Sequence, residues 1–109
     1  MDTVAPRTMW GYLLHLGCNM WADRSIPGRE QEYICFQPRL RCQTDVWNQV
    51  TRALAKVGAN TLIIDVADGI QYDSHPEISV RRAWSKLRLQ RELARLRRMG
   101  LEPIPKLNF

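Results

Sequence analysis

The stretch NTLIIDVA, residues 60–67, decides the fold. Thr61, Leu62, Ile63, Ile64 and Val66 form a β-branched, apolar run of strand length, interrupted only by Asp65, and this predicts a strand over 61–66. Just upstream, Gly58 stands where a helix would end in a left-handed residue. Just downstream, Asp68-Gly69 turns the chain out.

Working outward, the spacing predicts a helix over 45–57, capped by Thr44 or Asp45, with Val46, Val50, Ala53, Leu54 and Val57 on one face. Before it lies a long polar loop, 22–43, punctuated by Pro27-Gly28 and Pro38 and carrying a short extended piece at 33–36. The nearly continuous apolar run 10–16 predicts a first strand, suited to a sheet covered on both faces. On the other side, 72–84 contains Pro76 and mixed polarity, and reads as a loop with room for one short helical turn. Ser85 caps a second helix, 86–99, which carries Leu89, Leu93 and Leu96 and ends at Gly100. A third strand, 102–109, follows, its early ladder weakened by Pro103 and Pro105.

The order β-α-β-α-β implies an α/β protein with parallel strands and right-handed crossovers, which place both helices on one side of the sheet. The expected architecture is a single, incomplete (β/α)8 TIM barrel, because 109 residues cannot supply the roughly 250 that a closed barrel takes. Such a sheet has one covered and one bare face. The bare face calls for a partner, self-association among the options.

Alternation along each strand separates a helix-facing set from an inward set. The helix-facing sets are apolar: Tyr12, Leu14 and Leu16; Leu62, Ile64 and Val66; Pro105, Leu107 and Phe109. The inward sets turn polar towards the carboxyl ends, bringing His15, Asn19, Asp65, Lys106 and Asn108 to one mouth, where barrels of this kind keep their working residues. An aspartate and a lysine there each need a partner or a ligand. One reading makes Asp65 and Lys106 an internal ion pair; the other gives them contacts to substrate hydroxyls. His15 reads as a hydrogen-bonded core histidine. The loops add Trp21, Asp23, Asp68, Tyr72, Asp73, His75 and Glu77. Carboxylates beside aromatic rings suit a sugar, whose hydroxyls donate to the former while its apolar side lies on the latter.

With 45% hydrophobic and 25% charged residues the chain has an ordinary globular composition, not that of a disordered one. Its formal charge of +5 raises nucleic acid as a partner, but the basic residues concentrate between Arg81 and Arg98, within an amphipathic helix. A solvated outer helix face is the simpler explanation. Cys18, Cys35 and Cys42 have neither metal-ligand spacing nor an even count, so reduced thiols are expected, and neither a metal site nor a cofactor is read. Leu16-Gly17-Cys18 superficially resembles the end of a signal peptide, yet His15 interrupts the apolar core and only Arg7 precedes it. No run reaches the roughly 18 apolar residues of a membrane span, and the compartment is not written in the sequence.

The segments WGYLLHLGCNMW (10–21), NTLIIDVADGIQYDSHPEISVRRAW (60–84) and MGLEPIPKLNF (99–109) resemble the first three strand regions of glycoside-hydrolase-like TIM-barrel proteins. The resemblance implies substrate-anchoring residues at the second strand's end, Asp65 and Asp68, and at the third's, Lys106 and Asn108. Families of this kind usually hold the acid/base carboxylate at or beyond the fourth strand, so no catalytic residue is assigned. The resulting expectation is the N-terminal part of a glycosidase-like barrel, making carbohydrate contacts through Asn19, Trp21, Asp65, Asp68, His75, Glu77, Lys106 and Asn108, and inactive by itself. The alternatives are a non-catalytic carbohydrate-binding or self-associating barrel fragment and, third, a nucleic-acid binder using 81–98.

Overall fold

A computed structural model describes residues 7–17, 26–30 and 35–107. Three parallel strands, β1 (Gly11–His15), β2 (Thr61–Asp65) and β3 (Glu102–Lys106), lie side by side in that order. Helix α1 (Thr44–Lys56) connects the first pair and α2 (Lys86–Arg98) the second, with a single 3-10 turn at Pro76–Ile78 before α2. The protein is therefore mixed α/β, with the expected three strands and two helices present and boundaries within a residue or two, apart from β3, which stops at Lys106.

The register sets rows across the sheet. Gly11, Thr61 and Glu102 form one; Leu13, Ile63 and Ile104 the next; His15, Asp65 and Lys106 the last. The alternate positions, Leu62, Ile64 and Leu16, are buried with Trp47 of α1, Leu96 of α2, Trp84 and Leu101. Both helices thus cover one side, and the rows just named lie on the other. Leu13 and Ile104 are about two-fifths exposed, at 40% and 37%.

Burial of the helix-facing sets fades towards the sheet edges. Tyr12 is 58% exposed and Leu107 53%, and Pro105 is exposed too, whereas Leu101 and Pro103 are buried. Phe109 lies outside the described residues, as does most of the expected 33–36 extended piece.

Helix α1 is rotated by about one residue from its expected face. Trp47 and Thr51 are buried, whereas Val46 and Val57 are 50% and 80% exposed. The Trp47 ring drives this: it meets Trp84 edge-on, with centroids 5.2 Å apart, and so fills the space between the helices. Thr51 can be buried because its hydroxyl donates to the Trp47 carbonyl and accepts from Arg95 at 2.7 Å. The N-cap is Gln43, not Thr44 or Asp45, and no side chain caps the first turn. Thr44 instead accepts from Arg88. In α2 the expected cap holds, the Arg88 amide donating to Ser85 Oγ at 3.1 Å.

Pro103 and Pro105 sit inside β3 without breaking it. Glu102 donates to the Asn60 carbonyl and the Val66 amide to that of Lys106, so even-numbered β3 residues bond to β2 and the prolines face the free edge.

Truncating the core at its centre tests this layering. Leu96→Ala, at a fully buried side chain, is expected to cost about 2–5 kcal/mol, and Ser85→Ala about 1 kcal/mol by loss of the cap, both read by urea denaturation.

Candidate functional site

The row His15–Asp65–Lys106 closes the carboxyl ends of the three strands. Asp65 belongs to the central strand, with a neighbour on each side. Its side chain is fully buried although it lies on the face without helices. His15 Nδ1 donates to Asp65 Oδ2 at 3.2 Å, and Lys106 Nζ stands 3.7 Å from the same oxygen. Both partners are 42% exposed. The other oxygen, Oδ1, is buried and has no hydrogen-bond partner among the described residues.

That asymmetry matters chemically. A buried polar atom left unpaired costs about 1–3 kcal/mol, so a carboxylate with one oxygen occupied and one idle is poised to accept from something else. Lys106 adds to this, since a 3.7 Å contact leaves the ammonium able to donate to a second group.

The turn after β2 frames the row. Ala67 lies in the left-handed region at φ 37°, unusual for a residue with a side chain, and such strain gathers where local geometry serves a site. Tyr72 donates its hydroxyl to the Ala67 carbonyl, which leans the ring back over the strand end. Burial, and then the charges of Asp68 and Asp65, push the Tyr72 phenol above its ordinary range. Tyr72 is thus the aromatic neighbour of both carboxylates. Asp68 itself lies against the end of β1: a Cβ on Gly17 would fall 2.6 Å from its Oδ1 and 2.7 Å from the Val66 carbonyl. Only glycine allows that approach.

The structure separates the remaining expected contacts. His75 and Glu77 pair with each other at 3.1 Å on the exposed 3-10 turn, each about two-thirds exposed, rather than joining the row. Asp73 is drawn to Lys86 at the start of α2, 2.7 Å away, and that ammonium lowers its carboxyl while being raised in return. The chain path explains this: the loop 70–84 is pinned along its length by Trp84 donating to the Gly69 carbonyl, Gln71 donating to that of Trp84 and Ser79 Oγ donating to that of Ile70. Asn19, Trp21, Asp23 and Asn108 lie outside the described residues. His15 is not the core histidine expected of it; on an edge strand of an uncovered face it remains half exposed.

Half of the eight basic residues between Arg81 and Arg98 are engaged. Arg88 lies 4.8 Å from the Trp84 ring centroid, Arg95 binds Thr51 and Glu92, Lys86 binds Asp73 and Arg97 approaches Glu102 at 3.6 Å. Cys35 and Cys42 form no disulfide among the described residues. Among the described residues no three metal-ligating side chains gather, and no helix is long and apolar enough to cross a membrane.

No protein-family model matches the chain, and no curated protein matches it. What fold and site define by themselves is an α/β protein with a polar row at the carboxyl ends of a three-stranded parallel sheet.

Because its folded pKa is raised, Tyr72 favours the neutral phenol; its contribution is intact below about pH 10, the ordinary phenol value, and is lost as pH rises beyond it. Wild-type stability is expected to fall more steeply than that of Tyr72→Phe above that pH, as measured by urea unfolding across an alkaline series.

Proposed function

We propose that this chain is the N-terminal part of a glycoside-hydrolase-like (β/α)8 barrel and that it contributes carbohydrate contacts rather than the catalytic carboxylate pair. The supporting observation is Asp65 Oδ1, a buried, idle acceptor at the carboxyl end of the central strand. Ligand entry has to uncover this fully buried oxygen; a sugar hydroxyl is then a neutral donor for it, while Lys106 donates to a neighbouring hydroxyl oxygen and Tyr72 offers an aromatic wall. Asp65 and Asp68 act as anchors in this reading. With its Oδ2 held by His15 and Lys106, Asp65 is tied to orienting a ligand, and glycosidic cleavage needs two carboxyl groups placed across one bond. Of the sequence-derived contacts, Asp65, Asp68 and Lys106 carry the proposal; His75 and Glu77 do not, being paired with each other.

A carbohydrate-binding barrel without catalysis uses the same row and shares this observation. Nucleic-acid binding has less support, because Lys86, Arg88, Arg95 and Arg97, half of the basic residues in this segment, already contact Trp84, Thr51 or acidic neighbours.

The test is calorimetric titration of the chain with a panel of neutral, amino and uronic oligosaccharides. Binding by at least one class is expected. Asp65→Asn or Lys106→Met should weaken it by about tenfold to a hundredfold, the worth of one hydrogen bond to a charged group, while Lys86→Met leaves it unchanged. Absence of binding across the panel, or binding indifferent to both substitutions, overturns the proposal.

A further inference from the structure

The two edges of the sheet differ in a way that neither the core nor the polar row requires. In a parallel sheet, alternate residues of a strand bond to one neighbour, and the residues between them turn their amides and carbonyls to the other side. In β3 the outward residues are Pro103 and Pro105, which have no amide hydrogen to give. In β1 the Trp10 carbonyl accepts from Thr61 and the Leu16 amide donates to Asp65, so the even-numbered residues bond to β2. Gly11, Leu13 and His15 therefore turn outward with amides and carbonyls intact. One edge is closed to donors and the other is open.

We propose that the β1 edge is a docking surface for a second copy of this chain, with the two β1 strands pairing antiparallel across a two-fold axis at Leu13. The edge is complementary to itself in that arrangement. Leu13 stands opposite Leu13 of the second copy, and the two exchange both backbone bonds. His15 falls opposite Gly11, where there is no side chain to obstruct the imidazole. Tyr12 falls opposite Leu14, an aromatic–aliphatic pair of the kind that stabilises adjacent strands. No like charges are opposed.

The exposed apolar groups cluster on the same side. Trp10, 66% exposed, and Tyr12, 58%, line one cleft with Val57, 80%, while Val46, 50%, lines another with Leu14. A cleft between β1 and α1 is lined by Leu14, Val46, Trp47 and Val50. The Trp47 indole Nε1, buried and without a partner among the described residues, belongs to a side chain lining that cleft. A head-to-tail ring of copies would instead lay β1 against β3, where Pro103 and Pro105 cannot donate. Self-complementarity and the closed β3 edge together select a closed dimer over a ring or a filament. Dimer and closed barrel are alternatives at this edge, since a closed barrel pairs β1 with its last strand; the edge bonds leave Asp65 untouched, so carbohydrate contact is tested separately.

Light scattering coupled to size exclusion on the full 109-residue chain tests it. The expected result is a concentration-dependent dimer of the 12.7 kDa chain, with slow exchange at the Leu13 and His15 amides. Leu13→Pro removes the two bonds at the axis in the way β3 already does, and is expected to raise the dissociation constant by about tenfold or more. Leu13→Lys sets two ammonium groups opposite each other and reaches the same end without altering the backbone, so it decides the matter if the proline variant fails to fold. A chain that stays monomeric at millimolar concentration, a dimer that survives Leu13→Lys, or a trimeric or larger assembly overturns the proposal.

Discussion

Both helix crossovers lie on the same side of the sheet, and the rest of the molecule follows from that constraint. It gives Leu62, Ile64 and Leu16 a dry interior with Trp47, Trp84 and Leu96, and leaves the alternate rows without a helix over them among the described residues. The last of these rows is the polar one. His15, Asp65 and Lys106 occupy it, and they do so at the carboxyl ends of the strands, where a parallel sheet holds its ligands.

Magnitudes argue that Asp65 is not kept for stability. Removing a carboxylate from water costs several kcal/mol even after relaxation. Against this stand a hydrogen bond of 3.2 Å to a half-exposed histidine and a contact of 3.7 Å to a half-exposed lysine. Near a surface, a unit charge pair at about 4 Å gains on the order of 4 kcal/mol before the cost of ordering the lysine. Gain and cost nearly cancel, and the idle Oδ1 tips the balance towards a net penalty.

Much of the architecture was legible in the sequence because the signals were local and strong. The run 61–66, Gly58, Gly100 and the Ser85 cap each fix one element without reference to the others. The row itself was legible through strand parity, which put His15, Asp65 and Lys106 together before any register was known. What could not be read depended on contacts between elements. The face of α1 is set by Trp47 meeting Trp84, which lies 37 residues away in a segment whose mixed polarity marks it only as loop. His75, Glu77 and Asp73 looked suited to the site because of their side chains alone; the hydrogen bonds that pin the loop, together with the partners His75, Glu77 and Asp73 find locally, take them elsewhere. The prolines of β3 signalled a weakened ladder, yet their actual effect is on the free edge, which only the register reveals.

The most direct test of Asp65's role is the unfolding free energy of Asp65→Leu, measured by urea denaturation at pH 7. Leucine supplies an apolar side chain of similar shape, and the half-exposed His15 and Lys106 can rehydrate once the carboxylate is gone. If Asp65 is held for a ligand, the variant should be as stable as the wild type to within about 1 kcal/mol, or more stable, as replacement of buried charges by apolar groups often is. A loss of about 3–5 kcal/mol, the range for breaking a structural buried pair, would contradict the account and make the row an internal brace.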